Sequence, residues 1–263
     1  MTQQPGRTDA VLFDLDDTLV ADESATADAF LCACALADER HGLDPGALAA
    51  AVRREARRLW QAAPTLDYCR AVGISSAEGL RAAFVGDDPH LAALRAWAPT
   101  YRRAAWSAAL AGQGVRDSAL AEALAAAYIA ERGARHWVYP DVAPVLTALR
   151  STHRLALVTN GSPDLQRAKL AGAGLTPFFD AVIVSGEIGI GKPDARPFAL
   201  ALSALDVAPR RAVMVGDSND RDVVGARAAG IRALLLDRAG RSPAGEPGAA
   251  PVIRDLLQLP DVL

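Results

Sequence analysis

The chain has 263 residues, 51% of them hydrophobic and 22% charged, and a formal net charge of −3. That is enough apolar sequence for one large domain or two unequal ones, and without a basic surplus to neutralise a phosphate backbone it argues against nucleic-acid binding. No apolar run is long enough to span a bilayer, and the opening MTQQPGRTDA has no apolar signal region, so a cytoplasmic protein without membrane attachment is expected, as monomer or homodimer.

The first predicted element is a strand, AVLFDL (10–15), and it runs straight into three acids, Asp14, Asp16 and Asp17. Like charges this close repel. A cation, or a reaction that consumes negative charge, removes the objection. Residues 20–136 then read as helix only, rich in Ala, Leu and Arg, with starts at Asp44-Pro45, Ser75-Ser76 and Asp117-Ser118. Pro64, Pro89 and Pro99 are expected to end or kink helices. The result is a bundle of roughly five helices. Within it, Cys32 and Cys34 read as buried thiols and not as a zinc site, and Cys69 completes an odd count without a disulfide framework. The arginines of RREARR (53–58) read as a solvated face. Arg102, Arg103 and Trp106 in YRRAAW are candidates to meet a substrate, although packing inside the bundle is the commoner fate of such aromatics. The histidines at 41, 90, 136 and 153 show no ligand spacing.

From residue 137 the texture changes. Strands are predicted at 154–160, 181–185, 212–217 and 232–237, with a last short strand and helix in VIRDLLQL. Each is a short continuous apolar run, the mark of strands covered on both faces and hence of a parallel sheet. Helices are expected to open at Ser162-Pro163 and to run near 195–206 and 220–229, the last stopped by Gly230; 239–251 reads as loop. The fold class is therefore α/β, a Rossmann-like parallel sheet core (1–19 and 137–263) with an inserted α-helical bundle (20–136).

In such a sheet the carboxyl ends of the strands share one edge, where ligands bind. The acids after the first strand, Thr159 and Asn160 after the second, and Asp217 after the fourth converge there. Lys192 follows on a Gly-rich loop, kept from helix by Pro193, and Asp222 lies five residues beyond Asp217. Carboxylates without nearby Cys or His select Mg²⁺ over softer metals, while Thr159, adjacent N–H groups and Lys192 supply donors for an anion. A carboxylate approaching a phosphate dianion meets two charges, each repelling by about 4 kcal/mol at roughly 4 Å and an effective dielectric near 20. The sum corresponds to about five or six decades of rate, most of which Mg²⁺ and Lys192 would offset.

DLDDT (14–18), VTNG (158–161), GKPD (191–194) and GDSNDRDVVGA (216–226), in that order, resemble the four motifs of the haloacid dehalogenase superfamily, in its branch with a helical cap inserted after the first motif. The resemblance implies an Mg²⁺-dependent phosphatase acting on a small phosphorylated metabolite such as a sugar phosphate, acyl-sugar phosphate or nucleotide. It implies Asp14 as nucleophile and metal ligand. Asp16 would be the general acid/base, with its carbonyl on the metal. Thr159 and Asn160 would bind the phosphoryl group, Lys192 would bridge nucleophile and phosphate, and Asp217 and Asp222 would hold Mg²⁺. Dehalogenases of the superfamily lack the second acid, so Asp16 favours phosphate chemistry. A phosphotransferase or mutase on the same fold is the alternative, and a non-catalytic scaffold is disfavoured because no motif residue is missing. Asp17 and Ser218 read as turn residues, Asp220 is off the metal-ligand spacing, and Ser185 and Glu187 are expected to order the lysine loop.

Overall fold

The computed structural model describes residues 8–241 and 250–263. Six strands form one sheet: β1 (Ala10–Phe13), β2 (Arg154–Thr159), β3 (Ala181–Val184), β4 (Ala212–Gly216), β5 (Arg232–Leu236) and β6 (Val252–Ile253). Their order is β3-β2-β1-β4-β5-β6, with every pairing parallel. Alternation explains the unbroken apolar runs. Val11 and Phe13 join Leu155, Leu157, Val213 and Val215 in a core on one face. Ala10 and Leu12 join Ala156, Val158, Ala212 and Met214 on the other. With both faces covered, neither register position tolerates a polar residue. The chain leaves β1 to build β2 and β3 on one side and returns to build β4 and β5 on the other. The carboxyl end of β1 is thus the point where strand order reverses.

By contacts the chain divides into two units. One contains the sheet, from the segment through Ala21, Val138–Asn160 and Ala168–Leu263; the other contains Asp22–Trp137 and Gly161–Arg167. The second unit is helical: α1 (Asp22–His41), α2 (Pro45–Trp60), α3 (Leu66–Val72), α4 (Ser76–Gly79), α5 (Pro89–Ala111) and α6 (Ser118–Gly133). Three of its helix starts are capped by the predicted residues. The Asp44 carboxylate accepts from Ala47 N–H at 2.6 Å and Asp117 from Leu120 N–H at 2.9 Å. Ser75 and Glu78 form a reciprocal capping box. Pro64 lies between α2 and α3, where a helix end was expected. Pro89 opens α5 behind the Asp88 cap, and α5 continues through Pro99; at a first turn the missing N–H has no intrahelical partner to lose. The bundle core is aromatic. Phe30 stacks on Tyr128 at 4.1 Å and tilts against Trp106 at 6.2 Å. Cys34 and Cys69 are buried, but Cys32 is exposed, because its position two residues from Cys34 turns it to the other side of α1. The RREARR arginines are solvated as expected, with Arg53 on Glu23 at 2.6 Å and Arg58 on Glu55 at 2.8 Å.

The sheet unit carries α7 (Val142–Arg150), part of α8 (Pro163–Gly172), α9 (Ser185–Ile188), α10 (Ala195–Leu205) and α11 (Val224–Ala228). A π-helical turn, Asn219–Val223, precedes α11, so the predicted helix near 220–229 is split. Part of the loop read at 239–251, residues 242–249, lies outside the described residues. Among the described residues no helix is long and apolar enough to cross a membrane.

Candidate active site

The carboxyl ends of β1, β2 and β4, with the loop after α9, enclose a cleft of about 200 Å³. Asp14, Asp16, Thr159, Asn160, Lys192, Asp217 and Asp222 line it, joined by Asp17, Ser218 and, at the rim, Arg221. The strand pairing places the first of them: Asp14 N–H donates to Val215 O at 3.0 Å, one step past the Phe13–Val215 pair, and the residue is 8% exposed.

Lys192 is buried against two carboxylates. Its Nζ donates to Asp14 Oδ1 at 2.6 Å and lies 2.7 Å from Asp222 Oδ1. Burial alone pulls the lysine pKa down; the two acids outweigh it and hold the ammonium charged. The loop that presents it is clasped by Asn160, whose Nδ2 donates to Lys192 O at 2.9 Å while its Oδ1 accepts from Lys192 N–H at 2.8 Å. A Cβ on Gly191 would lie 2.7 Å from Asn160 Oδ1, so this clasp needs glycine there. Asn160 therefore has a task beyond the phosphoryl contact expected of it: it holds the lysine loop.

Asp222, fully buried, is set by the π turn. Its Oδ2 accepts from Ser218 N–H at 3.0 Å, and it presses on the backbone at Gly216, where a Cβ would come within 2.2 Å. The Lys192 contact to Oδ1 lies outside hydrogen-bond geometry, which leaves that buried oxygen without a directed donor among the described residues. Ser218 accepts from Arg221 N–H at 3.3 Å, the turn role predicted for it. Asp17 takes φ +55° and donates its N–H to Val20 O at 2.7 Å, also as a turn residue. Asp220 is exposed and outside the lining.

Asp14, Asp217 and Asp222 can each offer a carboxylate oxygen within 4.8 Å of the others. Burial first, then the Asp222 charge, raise the Asp14 pKa against the opposing pull of Lys192. Asp217 stands exposed at the mouth, yet partial burial of its carboxyl and the charges of Asp14 and Asp222 push it up to about 7. Five carboxylates line the cleft against Lys192, Arg221 and the Lys169 ammonium on Asp16. An all-oxygen donor set with excess negative charge and an undirected buried oxygen fits a hard divalent cation.

Two features escaped the sequence reading. Lys169, on α8, is 3% exposed and donates to Asp16 Oδ1. The sequence did hold a signal: Leu165, Gln166, Lys169 and Leu170 form the buried stripe of α8 at helical spacing, and a lysine on such a stripe needs a partner. The second is Arg238, after β5. It pairs with Asp141 at 2.8 and 3.0 Å, donates to Thr18 O at 2.9 Å and lies 3.9 Å over the Tyr139 ring. It therefore ties both connections that leave the sheet unit, and no local pattern announces that. The helical candidates fare worse. Trp106 is fully buried in the bundle core, and Arg102 donates to the backbone carbonyls of Gly79 and Ala82. Of the three, Arg103 is exposed, 3.9 Å from Glu122.

The sequence model of the haloacid dehalogenase-like hydrolases matches residues 8–230. The chain belongs to that family. It is 42% identical to a phosphoserine phosphatase of Thermus thermophilus over 93% of this chain and 94% of that one. It is 37% identical to a glyceraldehyde 3-phosphate phosphatase of Methanothermobacter thermautotrophicus over 48% of this chain and 58% of that one. Among solved structures, the HAD-hydrolase YfnB of Bacillus subtilis superposes with a TM-score of 0.65 at 22% identity, covering 98% of this chain and 99% of that one. A 2-haloacid dehalogenase of Pseudomonas syringae superposes with a TM-score of 0.62 at 28% identity, covering 97% of each chain. Within the family this chain is a phosphoric monoester hydrolase.

Proposed function

We propose that the protein hydrolyses a small phosphorylated metabolite through an aspartyl-phosphate on Asp14, with Mg²⁺ held by Asp14, Asp217, Asp222 and the main-chain carbonyl of Asp16. The observation that carries this reading is the buried Lys192 ammonium 2.6 Å from Asp14 and 2.7 Å from Asp222 in a cleft otherwise lined by acids. An acid held next to a fixed ammonium, with further acids grouped at one side, suits attack on a dianion better than it suits a structural ion pair. Bound there, Mg²⁺ would neutralise charge as the phosphate approaches.

In the first step an Asp14 oxygen bonds to phosphorus and the ester P–O bond breaks. Asp16 gives its proton to the departing oxygen. In the second, Asp16 as carboxylate takes a proton from water, whose oxygen bonds to phosphorus. The Asp14–phosphorus bond breaks, releasing inorganic phosphate. Lys192 would offset charge in both steps, and the Thr159 hydroxyl, at the buried end of β2, would donate to the phosphoryl group. The phosphoserine phosphatase relative, matched over nearly the full length of both chains, supports testing phosphoserine and related monoesters first as substrates. The helical segment 20–136 is proposed to select among them, and its exposed residue Arg103 is the first to vary.

The test is a panel of phosphomonoesters assayed for free phosphate with and without chelation. Phosphate release that stops on chelation and returns with Mg²⁺ is expected. Isomerised product without free phosphate would instead assign a mutase, and full activity after exhaustive metal removal would refute the metal role.

A further inference from the structure

We propose that Lys169 is the positioning residue for the acid/base Asp16, a role that rests on the reading of Asp16 given above. Lys169 sits in the last turn of α8, with its side chain 4% exposed, and its ammonium donates to Asp16 Oδ1. Asp16 itself is half open, with 29% of its side chain exposed at the cleft.

The burial is the informative part. A lysine near a helix C-terminus gains from the helix dipole while fully solvated, so that interaction does not explain why this one is buried. Removing an ammonium from water costs free energy unless it is paired. The partner here is one oxygen of the acid that stands two residues from the nucleophile. An aspartate on a turn next to Asp17, with its left-handed φ of +55°, has its own rotamers to choose among. A charge-assisted bond to a rigid helix removes that choice. The cleft thus holds two lysine–aspartate pairs from different elements. Lys192, from the loop after α9, addresses the nucleophile; Lys169, from the helix after β2, addresses the acid/base. Proton delivery to a leaving oxygen depends on holding the carboxyl group within hydrogen-bond reach, and a misplacement of about 1 Å can cost on the order of 10²-fold.

This role leaves a signature that general destabilisation would not. A leaving group that departs readily as an anion, such as p-nitrophenolate, needs little from the acid; the alkoxide of phosphoserine needs much. The readout is kcat/KM, which covers steps only through formation of the phospho-enzyme. At saturating Mg²⁺, Lys169→Met is expected to lower kcat/KM for phosphoserine by roughly 30–100-fold and for p-nitrophenyl phosphate by less than about 5-fold. Lys169→Arg, which keeps a cationic donor, should recover most of the difference. Asp16→Asn/Lys169→Met should be no worse than Asp16→Asn alone, because a positioning residue has nothing left to position. Melting curves check the fold, and if Lys169→Met does not fold, Lys169→Gln is read in its place. Equal losses on both substrates, or additive losses in the double variant, overturn the proposal. If Asp16→Asn itself keeps full activity on the alkyl phosphate, the acid/base reading falls and this one with it. If Asp16→Asn shows the leaving-group dependence and the Lys169 variants do not, only the positioning role falls.

Discussion

The two units treat buried polar groups in opposite ways. In the helical unit the largest buried charge, Arg132, is 1% exposed and fully occupied: its guanidinium reaches Asp22, Thr26 Oγ1 at 3.0 Å and Arg135 O at 2.8 Å. One cation meets one acid and two neutral acceptors. In the sheet unit the cleft holds more acids than cations, and Asp14 is kept above the ordinary carboxylate range. The first arrangement gives each buried donor an acceptor. The second holds like charges together, and burial with neighbouring carboxylates raises the pKa of Asp14 and Asp217. Charge imbalance, and not burial of charge as such, marks the working site. Single substitutions should therefore separate activity from stability in opposite directions in the two units.

The largest effect is expected at the nucleophile. Asp14→Asn should lower turnover on the order of 10⁴-fold or more while the melting temperature holds or rises, since a repelling charge is removed. Near-native turnover in a preparation free of contaminating phosphatase would break the assignment. In the helical unit Trp106→Ala should do the reverse. It should cost about 4 kcal/mol of stability, the scale for truncating a buried aromatic, and leave kcat for p-nitrophenyl phosphate within a few-fold at a temperature where the variant is folded. Denaturant titration and kinetics on the same sample decide this, and a large kcat loss in folded protein would place Trp106 in the chemistry.

Lys192→Ala should cost about 3 kcal/mol of transition-state stabilisation, the scale of a preorganised electrostatic contact. Lys192→Arg should not fully restore it, because a planar guanidinium does not fit where a compact ammonium touches two carboxylates. Complete rescue by arginine in kcat/KM would argue against that geometry.

A paired acid away from the cleft sharpens the contrast. Burial would raise the pKa of Asp141, but the Arg238 bonds and the Leu256 N–H at 2.8 Å outweigh burial and hold it below the ordinary carboxylate value. A depressed folded-state pKa means that the pair stabilises above the unfolded-state value of about 3.9 and that this contribution is lost as pH falls through the lower folded-state value. Asp141→Ala should therefore destabilise by roughly 3 kcal/mol at pH 7, with the gap to the parent narrowing as pH falls below 4. A gap that stays constant across urea titrations from pH 7 to 3 would contradict it. The smallest effect is expected at Tyr128, whose buried hydroxyl has no hydrogen-bond partner among the described residues. Tyr128→Phe should be neutral or stabilising by about 1 kcal/mol, with activity unchanged; a clear loss of stability would reveal a partner for that hydroxyl.

Much of this molecule was legible before folding, for local reasons. Continuous apolar runs mark strands covered on both faces, and Asp44, Ser75 and Asp117 mark helix starts because their side chains answer N–H groups within three residues. The acids after β1, Asp217 and Lys192 were legible as a site because a parallel sheet sends all strand ends to one edge. Where local rules compete, they misled. Pro89 was expected to end or kink a helix and opens one, because the first turn has no intrahelical bond for a proline to break. Trp106 and Arg102 shared a suggestive stretch with Arg103, yet helical rotation sent one to the core and another to backbone carbonyls. The sequence by itself determined which residue types could gather at the sheet edge and that a hard cation and an anion would suit them. Only tertiary structure decided the pairings: Lys169 on Asp16, Asn160 around the Lys192 loop, Asp222 over Gly216 and Arg238 on Asp141. Each joins residues whose partners are set by the packing of separate elements, and no spacing along a chain encodes a distance of that kind.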